Sequence, residues 1–389
     1  MNVAEQIVTQ LVDAGVHRIY GIVGDSLNPI VDAVRKTGGS AQGGIDWIHV
    51  RHEEAAAFAA SADAQLTGKL AVCAGSCGPG NLHLINGLYD ANRTGAPVLA
   101  IASHIPSVQI GSTYFQETHP DRVFEECSVY NELISSAAQS PRTVNSAIRH
   151  AVGLGGVAVI TLPGDITDLK AVEHVPTYAP ARPATLTPNP TDIDEAAALL
   201  NKANKVAIFA GAGVEGAHDE VIALADALKA PIGHSLRGKH FIQYDNPFDV
   251  GMTGLLGYGA AAEGMNDADV LILLGTDFPY DQFLPDTPTI QVDTHAEKLG
   301  RRTDVGLAIH AQVKPFIEAL LPHLRAGRSD SFLKAKIKKH SEIMHAPVGA
   351  YTRNVEKMRP IHPEYAAHLL NETAAKDAIF TADTGMCNV

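Results

Sequence analysis

The feature that most restricts this chain is a repeated beat: a short wholly apolar run, a glycine turn, then a stretch of helix length. RIYGIVGD (18–25), KLAVCAGSCGPG (69–80) and GVAVITLPGD (156–165) follow it, and PVLAIASH (97–104) repeats the apolar run without the glycine, with alanine-rich or amphipathic segments between. A strand with one wet face alternates apolar and polar residues. A strand that is apolar throughout is covered on both faces, which calls for a parallel sheet sandwiched by helices. Ahead of the first strand, Val3, Ile7, Leu11 and Val12 share one face of a helix over 3–15, and Ser26 stands where an N-cap for the next helix is expected.

The proline-rich stretch 174–193 breaks the beat and reads as an extended interdomain linker. KVAIFAGAGVEGAH (205–218), PIGHSL (231–236), DVLILLGTDFPY (269–280) and TIQVDT (289–294) then restore it as far as about Leu324. Residues 325–355 read as a solvated charged helix and a second linker. HPEYAAHLLNETAA reads as an amphipathic helix and AIFTADTG (378–385) as a strand. The expected fold class is therefore α/β, with two doubly wound parallel-sheet domains plus the start of a third. At about 150 residues per domain the length corresponds to roughly 2.6 domains, in keeping with a third domain that is only begun.

With 43 acidic against 30 basic residues the net charge is −13, which repels phosphate backbones and argues against nucleic acid as a partner. No apolar run approaches the roughly 18 residues that span a bilayer. The opening MNVAEQIVTQLVDAGV lacks the basic start and apolar core of a signal peptide, so a cytoplasmic location is expected. Cys73, Cys77, Cys127 and Cys387 form no C-x-x-C pair and read as reduced thiols. The 18 histidines show no H-E-x-x-H or H-x-x-x-H spacing, so no protein-held transition metal is expected.

Four segments could carry chemistry. Arg51-His52-Glu53-Glu54 opens an alanine-rich helix, and two carboxylates there suit the helix dipole. Spacing alone favours that plain role for both, but Glu53 sits where the apolar strand WIHV meets a close-packed helix. A carboxyl group there can be desolvated and poised to share a proton with a ring nitrogen. Gly75-Ser76-Cys77-Gly78-Pro79-Gly80 makes a rigid turn at a strand end that lets a ligand approach the backbone, with no Walker lysine. Phe115 and Gln116, in the loop Gly111–Glu117, place an aromatic ring beside an amide, a weak sign of a small polar substrate. Gly211-Ala212-Gly213-Val214-Glu215-Gly216 matches G-x-G-x-x-G between a strand and a helix. The acidic residue expected about 20 positions on is not clear, which points away from an ordinary NAD site. Asp293 is the better ribose acceptor, and GMTG (251–254) and GTDFP (275–279) read as further glycine turns.

In order along the chain, RHEEAAAFAA, CAGSCGPGNLHLINGLYDA, APVLAIASHIPS, YFQETHP, LPGDI, LRGKHFIQYDNPFDVGMTGLLG and LLGTDFPY resemble the thiamine-diphosphate-dependent pyruvate oxidases, most of all their quinone-reducing branch. The acetolactate synthases share the fold and the glutamate. The resemblance implies a pyrimidine-binding domain over 1–175, an FAD-binding domain over 190–325 and the beginning of a diphosphate-binding domain over 356–389. Glu53 would hydrogen-bond the coenzyme's aminopyrimidine, and Phe115 and Gln116 would line the substrate pocket. Gly211, Gly213, Arg237, Gly251, Met252, Thr253, Gly254, Gly275, Thr276, Asp277, Phe278, Pro279 and Asp293 would surround FAD. The implied reaction is oxidative decarboxylation of pyruvate to acetate and carbon dioxide, with electrons passing through FAD to quinone. The implied assembly is a homodimer or homotetramer, touching the inner face of the cell membrane only through a C-terminal segment. The family's Gly-Asp-Gly and Asn-Asn motif for Mg²⁺ and diphosphate is not in these residues. The expectation is thus a chain inactive by itself, or a flavin-binding protein without catalysis. A deacylase that uses NAD ranks far lower, for want of a four-cysteine zinc module.

Overall fold

The structure, a computed structural model, describes residues 1–173, 179, 184–352, 355 and 358–382, without the side chains of 346–352. Part of the expected first linker, 174–178 and 180–183, lies outside the described residues, as do Cys387 and the last part of the expected strand 378–385. The chain forms two units, 1–183 and 184–389, each an α/β sheet as the apolar beat requires.

In the first unit the strands are β1 Arg18–Gly21, β2 Asp46–His49, β3 Ala71–Gly75, β4 Val98–His104, β5 Tyr130–Leu133 and β6 Val157–Pro163. They pair in the order β2-β1-β3-β4-β6-β5, every pairing parallel. Every residue of β3, β4 and β6 is buried. The period of two sorts them. Val72, Leu99, Ile101 and Ile160 face one core, with helices Val3–Asp13, Asn28–Lys36 and Ser140–Leu154. Cys73, Val98, Ala100 and Val159 face a second core, under helices Glu53–Thr67 and Ile85–Thr94. Each large side chain buried here contributes about 1.5–3 kcal/mol. The second core is built on Ala56, Ala57, Ala60, Ala64 and Ala91, so its helices lie close to the sheet and to each other. Cys73, Cys77 and Cys127 are free and buried; burial pushes the Cys73 thiol up to about 12, so it stays protonated and inert.

The second unit has β7 Val206–Ala210, β8 Ile232–His234, β9 Asp249–Met252, β10 Tyr258–Gly259, β11 Val270–Leu274, β12 Thr289–Asp293 and β13 Leu307–His310. Their order is β10-β9-β8-β7-β11-β12-β13, with only the β9–β10 pairing antiparallel. Two expectations change here. Gly251 and Met252 belong to β9 rather than to a turn, because β10 folds back on them. The helix Ser331–Thr352 is docked rather than solvated: Leu333 joins the core and Lys336 is only 5% exposed. Lys336 Nζ meets Glu263 at 2.7 Å and also bonds Asp267.

Past it, the helix Pro363–Thr373 buries no residue. Residues 378–382 form no strand, and Ile379 is 92% exposed. A strand needs a neighbour to take its backbone hydrogen bonds, and the described residues offer none.

Candidate functional site

In the first sheet the chain leaves β1 outward to β2, then returns to β3 on the other side. Parallel α/β sheets bind ligands at the carboxyl ends of the strands where the order reverses in this way. A cleft of about 600 Å³ occupies this edge. Asp25 and Ser26 after β1, Cys77 after β3, His104 ending β4 and Asp165 after β6 line it, together with Phe115 and Gln116. Burial holds the His104 imidazole below its ordinary range, so the ring is neutral at pH 7. Ser26 is not an N-cap: Leu27 takes that place, and Pro29 sets the first helical turn. The Ser26 hydroxyl instead bonds Ser76 Oγ at 2.9 Å and accepts from the Cys77 amide at 3.0 Å, tying the two sides of the switch point together.

Glu53 lies on the same edge, past the end of β2, as the first residue of its helix. It is 8% exposed. His52 is the N-cap, and its Nδ1 accepts from the Glu54 amide at 3.2 Å. Glu53 is therefore not spent on capping, and its Oε2 meets His83 Nδ1 at 3.0 Å. Its Oε1 is 3.3 Å from where a Cβ on Gly80 would stand. Glu54, by contrast, is a surface group that accepts from Asn86 Nδ2 at 2.6 Å. The glycine turn joins Glu53 to the cleft: a Cβ on Gly78, two residues before Gly80, would lie 2.8 Å from Gln116 Cβ.

His52, Glu53 and His83 offer three metal-ligand atoms within 4.8 Å of one another. Ligand spacing along the chain could not show this, because two separate segments supply them. Each histidine Nδ1 is already engaged, one by the Glu54 amide and one by Glu53. His83 was absent from the sequence reading, although it stands only three residues past Gly80. The sequence marks Ser26 only as an N-cap and Cys77 only as part of the glycine turn, and gives His104 no role, because only the strand order brings the three together.

The loop carrying Phe115 and Gln116 is held in an uncommon shape. Thr113 (φ 59°) and Gln116 (φ 64°) are both left-handed, a conformation that persists only where surrounding contacts impose it. Glu117 supplies them by accepting from the amides of Gly111 and, at 3.0 Å, Tyr114. Gln116 Oε1 then accepts from Cys77 Sγ at 3.4 Å, and Phe115 stands 79% exposed. The Gly111 amide holds the Glu117 carboxyl below its usual range. Because the folded value is depressed, this support is present above the ordinary carboxylate range and is lost as pH falls through the lowered value. Glu117→Gln is expected to speed hydrogen exchange at the Gly111 and Tyr114 amides at pH 7 at least tenfold. Unchanged exchange there would remove the staple from the account.

In the second sheet the switch point lies between β7 and β11, and most of the expected flavin residues gather at its carboxyl edge. Gly211 and Gly213 follow β7, and Gly275 follows β11. The Gly213 amide donates to Gly275 O at 2.9 Å, and a Cβ on Gly211 would lie 2.4 Å from that oxygen. Thr253, Thr276, Phe278 and Asp293 are buried, while Gly254 is partly buried and Pro279 exposed. Asp293 accepts from the His295 amide at 2.9 Å. Asp277 bonds Arg301 and, at 3.2 Å, Arg302. Arg237 is exposed on the helix after β8. His234, ending β8, is fully buried, and its Nε2 lies 3.5 Å from Asp249 Oδ1.

Comparison with known proteins gives two matching family models: the N-terminal TPP-binding domain of thiamine pyrophosphate enzymes over 1–123, and their central domain over 193–320. The chain is 54% identical over 337 residues to an "Uncharacterized 42.6 kDa protein" of Pseudomonas amyloderamosa, covering 86% of this chain and 84% of that one. It is 36% identical over 390 residues to a "Putative thiamine pyrophosphate-containing protein" of Bacillus subtilis (99% and 67%). To the pyruvate oxidase of Lactiplantibacillus plantarum it is 30% identical over 385 residues (96% and 62%). Acetolactate synthases also match, as with 31% identity to the Escherichia coli isozyme 1 large subunit over 58% of its length.

Proposed function

The chain belongs to the thiamine pyrophosphate enzymes, and from that premise we propose that it serves the oxidative decarboxylation of pyruvate to acetate and carbon dioxide. The observation that carries this reading is Glu53: a dry carboxylate at a strand end, free of capping duty, with one oxygen turned over side-chain-free Gly80. A flat heterocycle fits such a cradle. Glu53 would hold the aminopyrimidine of thiamine diphosphate, and the coenzyme supplies a carbon nucleophile and an electron sink for loss of carbon dioxide. The chain's own work is to keep the Glu53 carboxyl dry and aimed, so that it exchanges a proton with the ring nitrogen. Phe115 and Gln116 would border the keto acid at the cleft, with Gln116 as hydrogen-bond donor and Phe115 shedding water.

The second sheet would receive FAD at its carboxyl edge, where the turns at Gly211, Gly213 and Gly275 pack closely enough to exclude side chains and Thr253 and Thr276 bring buried hydroxyls. Those residues fit a flavin nucleotide laid across the switch point. The atoms balance when pyruvate and water give acetate, carbon dioxide and two reducing equivalents, and quinone is the proposed final acceptor. Mg²⁺ on the diphosphate, homo-oligomeric assembly and a cytoplasmic location belong to the same proposal.

A second reading, carboligation to acetolactate, is supported by the acetolactate synthases among the relatives. One experiment separates the two. The protein purified together with a diphosphate-binding domain, given thiamine diphosphate, Mg²⁺, FAD and pyruvate without oxygen, should bleach its flavin and form acetate in equal amount. Acetolactate without bleaching would favour the second reading, and neither product would overturn both.

A further inference from the structure

A carboxylate rotates about its last bond in a broad, two-fold well, so its two oxygens are interchangeable unless a donor fixes one. In Glu53 something does: His83 Nδ1 lies 3.0 Å from Oε2, while Oε1 stands over Gly80. An ionised carboxylate only accepts, so with Glu53 ionised the ring nitrogen is the donor at this contact. The His83 ring is steadied in turn, since His52 stacks on it with centroids 4.4 Å apart and planes 27° from parallel. His52 also takes the Glu54 amide, which leaves that N–H donor already engaged.

We propose that His83 is a positioning residue: its Nδ1–H holds Oε2 of Glu53 and thereby assigns Oε1 as the oxygen offered to the bound heterocycle. The part concerning the heterocycle rests on the reading of Glu53 given above; the part concerning the carboxylate does not. His52 serves as the backing plate of the same device. A hydrogen bond to a charged group that is lost outright corresponds to a 10- to 100-fold effect, in order of magnitude.

The shapes of amides make the test specific. The side-chain nitrogen of Asn overlays histidine Nδ1, whereas that of Gln reaches the place of Nε2. His83→Asn should therefore keep at least a third of the pyruvate-dependent turnover. His83→Gln and His83→Ala should lose 10- to 100-fold in kcat, with KM changed less than threefold. A residue that merely fills space would rank Gln above Asn, and that order overturns the proposal. The second readout needs no coenzyme. In the ¹⁵N imidazole spectrum of the intact chain, His83 should be the Nδ1–H tautomer, reverting to the ordinary Nε2–H tautomer in Glu53→Ala. An Nε2–H tautomer in the unaltered protein overturns the proposal. The Nδ1–H tautomer in a protein inert toward pyruvate leaves the carboxylate clamp standing and rejects only the functional reading.

Discussion

In the complete protein, replacing Glu53 with Gln is expected to lower thiamine-dependent turnover of pyruvate by about 10²–10⁴-fold, the range that a positioned proton-transfer group supplies. The fold should barely notice. The amide oxygen of the Glu53→Gln variant would still offer His83 an acceptor in a place where Glu53 is 8% exposed, and a neutral amide is easier to bury than a charge. The melting temperature should stay within about 3 °C, a shift of roughly 1 kcal/mol. The neighbouring carboxylate is the internal control. Glu54 lies on the same helical turn and feels the same dipole, but its side chain reaches out to Asn86. Glu54→Gln should leave turnover within threefold. Full activity in Glu53→Gln, measured as pyruvate-dependent flavin reduction, would remove the assigned role. Equal losses in both variants would mean that the helix terminus, not the one dry carboxyl, is what matters.

Gly87→Val should produce the largest loss of stability in the first unit. Within a helix, glycine is ordinarily the poor choice, and replacing it gains a few tenths of a kcal/mol to about 1 kcal/mol. Here the sign reverses. Gly87 is where the helix Ile85–Thr94 crosses the helix Glu53–Thr67, and a Cβ would stand 2.4 Å from Ala57 Cβ and 2.6 Å from the Phe58 amide nitrogen. Those are backbone and Cβ atoms that cannot rotate away, so the helices must part. Overpacking of this kind costs about 1–3 kcal/mol, occasionally more, and Val should fall at the top of that range. At about 2–4 °C per kcal/mol for a unit of this size, the transition should drop by roughly 5–10 °C. Gly87→Ala should follow in the same direction with a smaller loss. A variant melting at or above the parent temperature would show that the two helices separate freely.

The strands legible in the sequence are those buried on both faces. β3, β4, β6, β7, β11 and β12 are buried at every position, and a run of apolar residues announces each one, ending in glycine in all but β4, which ends at His104, and β12, which ends at Asp293. The strands that were missed are edges or lie beside one. Tyr130–Leu133 is only partly buried, Leu307–His310 alternates buried and exposed, and Tyr258–Gly259 is two residues long. An edge strand has a wet side, so its residues resemble a loop. Lys336 misled for a related reason. A lysine reads as surface until Glu263 and Asp267, about 70 residues away in sequence, supply the charge that lets it be buried.

Composition and periodicity were enough for the α/β class, the parallel sheets and the glycine turns at their carboxyl ends, because burial of apolar residues is a local property written at fixed spacing. The residues themselves raised Glu53, Phe115 and Gln116 as candidates, and resemblance gave them roles. Only the tertiary structure decided that Ser26 bridges to Ser76, that Glu117 staples the loop bearing Gln116, and that His83 takes one oxygen of Glu53. Each of those is a hydrogen bond a few tenths of an ångström wide in tolerance. Whether two polar atoms come that close depends on strand order and helix packing over the whole unit, which no spacing along the chain encodes.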